Sequence, residues 1–379
     1  MKAKVILPTG GLQALIGALA QRGYEVLGPR EQDGAIIYGP IESVRDLPAS
    51  RRDRQEAGRY RLEARDDGAF FGFAVGPQSW KRFLQPPAQT LWSAHRTEGG
   101  FTIEPAPKPA EKLAFLGVRA CEAEAIAIQD RVFRDGPYRD EAYAARRANT
   151  FIVAVNCTHA GGNCFCVSTQ TGPRADSGFD LSLTELLDGR QHQFLAEAGS
   201  EAGAALLAEL PQEPATAAHI AAAEAVLANT AAQMGRKLET AGLKELLQAS
   251  LNHARWEDIA ARCLGCGNCT MVCPTCYCST VEDHTSLDGA TALRVKKWDS
   301  CFAKDLSYVH GGAVRTSGAA RYRQWMTHKF ANWVDQFGTP GCTGCGRCIT
   351  WCPVGIDITE EAAAIRADQI VKEERHGGA

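Results

Sequence analysis

The chain has 379 residues, of which 45% are hydrophobic and 22% are charged, a composition that is ordinary for a globular protein with two or three domains. Its 41 basic and 44 acidic residues give a net charge of -3, so the chain has no broad basic field that would attract nucleic acid or an anionic membrane. We therefore expect neither nucleic acid nor a membrane as a partner.

The N-terminus does not have the continuous apolar segment of a cleaved signal, because Pro8, Gly10 and Gln13 interrupt it. No later stretch approaches the roughly 18 uninterrupted apolar residues that a membrane span needs. The 15 cysteines are an odd number and fall in tight clusters, a pattern typical of metal or redox chemistry in a reducing compartment. The sequence therefore predicts a cytoplasmic protein.

Residues 1–212 are predicted to form a mixed α/β domain. Short apolar runs predict strands at 113–117 and 150–155, and a cysteine follows each of them, Cys121 and Cys157 respectively. Loops at strand ends are where a rigid sheet most readily presents functional groups. If the two strands are parallel neighbours, these cysteines lie close together.

Residues 213–262 are rich in Ala, Leu, Glu and Gln, and their apolar residues recur at helical spacing. The pattern predicts a helical connector made of two helices with a break near Gly242. Four leucines are expected along one face of the second helix: Leu243, Leu246, Leu247 and Leu251.

Residues 263–379 contain two matching cysteine motifs separated by an insertion at 274–341. Within the insertion, 321–338 predicts an amphipathic helix that packs three aromatic side chains, Trp325, Phe330 and Trp333. A last helix is predicted from a cap at Asp357 to about Val371. The predicted fold class is therefore α+β or α/β, with an N-terminal mixed domain, a helical connector and a C-terminal domain built on the motifs.

The motif CLGCGNCTMVCP recurs as CTGCGRCITWCP, so both carry the spacing Cys-x2-Cys-x2-Cys-x3-Cys-Pro. This spacing is typical of ferredoxins with two [4Fe–4S] clusters, in which the cysteine before the proline binds the other cluster. The first cluster is accordingly assigned to Cys263, Cys266, Cys269 and Cys352. The second is assigned to Cys342, Cys345, Cys348 and Cys273. Zinc is the alternative, but zinc ribbons need neither a third cysteine nor a trailing Cys-Pro.

Four further cysteines lie in the predicted N-terminal domain, in GVRACEAEAI and NCTHAGGNCFC: Cys121, Cys157, Cys164 and Cys166. Four thiolates that converge on a glycine-containing loop would suit a third [4Fe–4S] cluster, and we favour this interpretation for the quartet. Zinc is its main competitor, and buried structural cysteine is the simpler interpretation of any one of them alone.

Cys276, Cys278 and Cys301 remain. They are expected to pack beside the two motifs, because cysteine is among the most frequently buried residue types. The alternative is a further site that is completed by a ligand such as His284 or His310.

The strings GVRACEAEAIAIQDRVFRD, NCTHAGGNCFC, the TGP at 171–173 and MTHKFANWVDQFGTPGCTGCGRCITWCPVGID resemble the iron–sulfur beta subunit of cytoplasmic NAD(P)-linked [NiFe] hydrogenases, the sulfhydrogenases. They are also similar to the A subunit of anaerobic sulfite reductase. The resemblance runs from about residue 113 to 365. It implies that the twelve cysteines assigned above are the cluster ligands, and it gives no role to the other three.

The resemblance also implies an electron relay. A flavin- and NAD(P)-binding diaphorase subunit would exchange electrons with this chain, which would pass them to the small and large hydrogenase subunits, or to a siroheme subunit in the sulfite reductase alternative. The sequence has no GxGxxG after a strand and no P-loop, so no catalytic or substrate site is predicted on the chain itself. A stand-alone reductase and a redox-sensing protein are the alternatives of a different class.

Overall fold

The computed structural model describes residues 4–189 and 191–376, and it combines helices and sheets in an α+β fold. The strands are β1 (Lys4–Pro8), β2 (Glu25–Gln32), β3 (Ala35–Pro40), β4 (Arg51–Glu56), β5 (Arg59–Ala64), β6 (Ala88–Thr97), β7 (Gly100–Pro105), β8 (Leu113–Val118), β9 (Thr150–Val155), β10 (Leu181–Leu187), β11 (His192–Ala198), β12 (Glu213–Pro214), β13 (Ser279–Thr285), β14 (Thr291–Trp298), β15 (Tyr308–Val309) and β16 (Gly312–Ala313).

The helices are α1 (Thr9–Gln21), α2 (Lys81–Leu84), α3 (Ala120–Phe133), α4 (Glu141–Ala148), α5 (Glu201–Ala208), α6 (Ala217–Ala232), α7 (Leu243–Ala249), α8 (Arg255–Arg262), α9 (Asn268–Met271), α10 (Gly318–Thr327), α11 (Trp333–Phe337), α12 (Arg347–Thr350) and α13 (Ile358–His376). A π-helical turn over His328–Asn332 joins α10 to α11, and short 3-10 turns lie at Val44–Asp46 and Asp305–Ser307. Within the described residues, no helix is both long enough and apolar enough to cross a membrane.

The N-terminal part is organised by a mixed sheet with the strand order β12-β1-β11-β10-β9-β8-β2-β3. β8 and β9 are parallel neighbours, and both are almost entirely buried. Strands of a parallel pair that are covered on both faces read as continuous apolar runs, and the sequences LAFLGV and TFIVAV have this pattern. The predicted strands at 113–117 and 150–155 are therefore confirmed, and their carboxyl ends bring Cys121 and Cys157 to one edge of the sheet.

The connector differs from its prediction, because it contains three helices, α6, α7 and α8, and not two. α7 does begin directly after Gly242, which has φ +64°, but it ends at Ala249. The chain then turns, and the indole Nε1 of Trp256 donates to the Ser250 carbonyl oxygen at 2.7 Å. Leu251 lies in this turn, beyond the end of α7, and is 48% exposed, so its predicted place on the leucine face of the helix is wrong.

The insertion between the motifs reaches back to the N-terminal part of the chain. β13 and β14 form a hairpin, and β14 pairs with β6 to build a second sheet of order β13-β14-β6-β7. Further along, α10, the π-helical turn and α11 form one continuous helical segment. This segment buries the three aromatic side chains that the sequence predicts to pack, Trp325, Phe330 and Trp333.

A second core lies in the C-terminal part, where α7, α8, α10 and α13 pack around the cysteine motifs. The last helix begins after Asp357, whose Oδ1 accepts the Thr359 backbone N–H at 2.9 Å. This is the predicted cap, and the helix continues past Val371 to His376. The cysteine motifs are thus attached to packed helices on both sides.

Replacing Leu116 with Ala tests whether β8 is a rigid support for the site. Leu116 is fully buried in β8, so the change should lower the free energy of unfolding by about 2–5 kcal/mol. Ile103→Ala in β7 is the control, because Ile103 is 65% exposed and its truncation should cost no more than about 0.5 kcal/mol. Equal losses in urea titrations of the two variants would contradict the assigned core.

Candidate metal centre

Each cysteine motif forms a tight loop that leads into a short helix. In the first motif, Gly265 has φ +65° and Gly267 has φ +72°, and α9 begins directly afterwards. The second motif repeats this backbone at Gly344 and Gly346, and α12 follows it. Glycine is the residue that adopts positive φ without steric cost, so the local sequence explains why both loops have the same shape.

The first set of predicted ligands lines one largely apolar cavity. Five cysteines line it: the four assigned to the first cluster, Cys263, Cys266, Cys269 and Cys352, and also Cys348 of the second set. Cys352 comes from the second motif, so the structure brings together the crossed set that the spacing predicts. Phe302, Tyr322 and Trp325 cover the cavity, while Cys266 is exposed at its edge.

Backbone N–H groups point at the sulfur atoms of this cavity. The Gly265 N–H donates to Cys263 Sγ at 3.4 Å, and the Ile356 N–H donates to Cys352 Sγ at 3.3 Å. Such hydrogen bonds stabilise negative charge on cluster ligands and tune the reduction potential. Thiols that surround an apolar cavity, together with amide donors, fit a [4Fe–4S] cluster.

The second predicted set is Cys273, Cys342, Cys345 and Cys348. Its members are close enough to influence one another electrostatically, and Cys273 lies beside both Cys342 and Cys345. The Thr275 hydroxyl donates to the Gly341 carbonyl oxygen at 2.7 Å, which joins the end of the first motif to the start of the second. The structure therefore brings this set together as well.

A buried lysine lies at the second set. Lys329 is 4% exposed, and its Nζ is 3.1 Å from Cys273 Sγ. The same ammonium donates to the Gly341 carbonyl oxygen at 3.2 Å and to the Thr275 hydroxyl at 3.3 Å. Burial disfavours its charge, but the neighbouring Cys273 and Cys276 sulfur atoms outweigh burial and raise the pKa of Lys329 well above its usual value. It thus holds a positive charge against this set.

The third predicted set lies at the edge of the large sheet. Cys121 is in the first turn of α3, Cys157 follows β9, and Cys164 and Cys166 belong to the loop beyond. The Cys157 N–H donates to the Pro173 carbonyl oxygen at 3.1 Å, which folds this loop back on itself. Burial raises the pKa of the Cys121 thiol, and the nearby sulfur atoms of Cys345 and Cys166 raise it further.

The third set packs directly against the second motif. The Phe165 N–H donates to the Gly344 carbonyl oxygen at 2.8 Å, and a Cβ placed on Gly344 would lie 2.6 Å from Cys166 Cα. A Cβ on Gly346 would lie 2.3 Å from the Asn163 carbonyl oxygen. Only glycine permits this approach of the two backbones. Cys121, Cys166 and Cys345 consequently share one buried cluster of side chains.

A buried ion pair stabilises the contact between the third set and the second motif. Arg347 and Glu122 are 2.8 Å apart, and their side chains are 0% and 1% exposed. Arg347 also donates to the Gly76 and Gln78 carbonyl oxygens, both at 2.8 Å, while Glu122 Oε2 accepts from the Tyr38 hydroxyl at 2.6 Å. Removing one partner of such a pair leaves an uncompensated buried charge.

Sequence reasoning missed Lys329 and Arg347. For Lys329 a signal was present, because it is four residues from each of the buried Trp325 and Trp333 and so lies on their helix face. Arg347 gave no such signal, because an arginine within a cysteine loop is equally compatible with an exposed side chain.

The three remaining cysteines are half-buried, and Cys276 and Cys301 pack against the C-terminal core. His284 pairs with Glu282 at 3.2 Å on β13 and is exposed. Among the described residues, no three or more His, Cys, Asp or Glu side chains converge to hold a single metal ion. The alternative site completed by His284 or His310 is therefore not formed within the described part of the chain. That finding concerns single ions only, since each thiolate of a cubane binds a different iron.

Gly344→Ala tests the contact between the third set and the second motif. Gly338→Ala is a matched control, because Gly338 also has positive φ, +69°, but open space around its missing Cβ. The control should cost about 1–2 kcal/mol of left-handed strain. Gly344→Ala should cost a further 1–3 kcal/mol, roughly, because its Cβ meets the Cys166 backbone. Equal free energies of unfolding in urea would show that this contact does not form.

Similarity to known proteins also indicates [4Fe–4S] clusters at the two motifs. Residues 262–356 match the family model of the 4Fe-4S dicluster domain, which defines an iron–sulfur protein that carries [4Fe–4S] clusters in a ferredoxin-like C-terminal domain. The chain is also 35% identical to the sulfhydrogenase 2 subunit beta of Pyrococcus furiosus over 258 residues, which are 67% of this chain and 74% of that subunit. It therefore belongs to the family of iron–sulfur hydrogenase beta subunits, as the sequence resemblance predicts. No solved structure matches the chain.

Proposed function

We propose that this chain relays electrons through three [4Fe–4S] clusters within a hydrogenase-type oxidoreductase complex. The observation that carries the proposal is the contact between the three cysteine sets. Cys352 from the second motif lines the first cavity, and Cys166 lies against Gly344 of the same motif. Sites that are in contact in this way permit electron transfer in sequence from one to the next.

Twelve cysteines are proposed to hold the clusters. The first cluster would be held by Cys263, Cys266, Cys269 and Cys352, the second by Cys273, Cys342, Cys345 and Cys348, and the third by Cys121, Cys157, Cys164 and Cys166. When bound, each cubane supplies a centre that accepts and returns one electron. The spacing of the two motifs, the apolar cavity lined by the first set and the mutual proximity within each set support this assignment.

The residues around the three proposed cluster sites have different roles. Trp325 and Tyr322 exclude water from the first site, and backbone N–H groups stabilise the thiolates there. Lys329 places a positive charge at the second site. Arg347 and Glu122 fix the third site against the second. Cys266, which is exposed, makes the first site the one nearest to a docked redox partner.

The family supports a proposal for the partners. The relative in Pyrococcus furiosus is by name the beta subunit of sulfhydrogenase 2. We propose that this chain exchanges electrons with a flavin- and NAD(P)-binding diaphorase subunit and with the small and large subunits of a [NiFe] hydrogenase. The division of the chain into 1–212, 213–262 and 263–379 is proposed as its domain organisation. A cytoplasmic location stays a prediction.

Iron analysis tests the proposed ligand sets. The anaerobically prepared chain should hold about twelve irons, four for each of three cubanes. Cys269→Ala and Cys352→Ala should each lose about four irons, and the double variant should lose no more than either, because both residues serve one cluster. Cys269→Ala combined with Cys273→Ala should lose about eight, because these two residues serve different clusters.

The opposite pattern would show that the motifs do not exchange their last cysteines. In that case Cys269→Ala with Cys273→Ala would lose about four irons, and Cys269→Ala with Cys352→Ala would lose about eight. A chain that holds zinc and no iron would contradict the relay itself.

Lys329→Met tests the electrostatic role of the buried lysine. Reduction adds a negative charge to a cluster, so removal of the adjacent ammonium should lower the potential of the second cluster. We expect a shift of about 60 mV or more, which is about 1.4 kcal/mol for a one-electron couple. Lys329→Arg keeps the charge and should shift the potential less. An unchanged potential for Lys329→Met in a titration followed by EPR would contradict this role.

A further inference from the structure

Two of the cysteines outside the three sets meet at the open end of the β13–β14 hairpin. Cys278 directly precedes β13, and Cys301 follows the end of β14 by three residues. Ser279 pairs with Trp298, and the Asp299 N–H donates to the Cys278 carbonyl oxygen at 2.9 Å. The antiparallel pairing therefore brings the two cysteine backbones to the same end of the hairpin.

Their side chains are neighbours. Both the thiol and the backbone N–H of Cys301 lie near enough to the Cys278 sulfur to influence its ionisation. Both thiols are half-buried, so a small reagent has access to them while most solvent is excluded. Both are free in this structure. They form a dithiol that is held together by the hairpin.

The two thiols differ in acidity. The hydrogen bond from the Cys301 thiol, with help from its backbone N–H and from the Lys329 charge, lowers the pKa of Cys278 to about 7. The same contact raises the pKa of Cys301. A thiol whose pKa lies near the ambient pH is the best attacking group in thiol–disulfide exchange. The pair therefore contains a thiol suited to attack a disulfide, Cys278, and a neighbouring thiol, Cys301, that can then attack the mixed disulfide.

We propose that Cys278 and Cys301 form a redox-active dithiol site that reacts with small disulfides. The Cys278 thiolate attacks a disulfide RSSR, the S–S bond breaks, and RS⁻ leaves and takes up a proton. Cys301 then attacks the Cys278 sulfur, releases the second RS⁻, and gives up its proton to it. The chain gains an intramolecular disulfide, two electrons pass to the substrate, and two RSH are formed.

The site lies next to the second cysteine set. The Cys276 thiol contacts the Cys273 thiol on one side, and it lies near Cys301 on the other. Return of two electrons from that set to the disulfide is the part of the inference that rests on the proposed function. The exchange reaction itself needs no cluster and can be tested separately.

The test uses the full chain, prepared anaerobically, reduced with dithiothreitol and freed of it. Oxidised glutathione is added, the remaining thiols are alkylated with iodoacetamide, and peptides are analysed by mass spectrometry. In the unmodified chain, Cys278 and Cys301 should be recovered as one disulfide. Cys301→Ser should stop at a mixed disulfide of Cys278 with glutathione, and Cys278→Ser should leave Cys301 open to alkylation. Cys276→Ser should behave as the unmodified chain does.

Two results would overturn the inference. One is full alkylation of Cys278 and Cys301 in the unmodified chain after oxidised glutathione, or trapping of the mixed disulfide by Cys276→Ser. The other is a loss of about four irons in Cys278→Ser or Cys301→Ser, since that would make them cluster ligands. Iron counts on the same samples separate the two proposals. An iron-replete but unreactive chain contradicts the dithiol alone, and a reactive chain without iron contradicts the relay alone.

Discussion

The close backbone contact between the 161–166 loop and the second cysteine motif is the constraint on which the rest of the site depends. Gly344 and Gly346 have no side chains at the points where Cys166 and Asn163 approach them. The Asn163 amide, which is fully buried, donates to the Thr350 hydroxyl at 2.8 Å across the same contact. Because both loops are anchored to packed elements, a shift in one displaces the cysteines of the other.

Buried positive charge is the second feature that the site requires. Four thiolates and a reduced cubane concentrate negative charge in a region of low dielectric, where an uncompensated charge is costly. Lys329 and Arg347 are both buried, and each donates to a backbone carbonyl oxygen, Lys329 to that of Gly341 and Arg347 to that of Gly76. Arg347 has Glu122 as its partner, whereas Lys329 has Cys273. The two cations therefore act differently: Arg347 stabilises the contact between the loops, and Lys329 provides a positive charge beside the thiolates.

Much of this arrangement could be predicted from the sequence, because its signals are local. The cysteine spacing, the glycines of the two loops and the apolar runs of β8 and β9 lie within short segments. The pairing of β14 with β6 could not be predicted in this way, since it joins residues about 200 positions apart. Leu251 was misplaced because helical spacing alone does not show that α7 ends at Ala249. Arg347 was missed because its burial depends on Gly76 and Glu122, which are remote in sequence.

An anomalous difference map at the iron edge, from crystals of the anaerobically prepared chain, tests the central claim most directly. The account predicts three iron peaks, one between Cys269 and Cys352, one between Cys273 and Cys342, and one between Cys121 and Cys166. No iron beside Cys166, or a zinc edge in place of the iron edge at the two motifs, would contradict it.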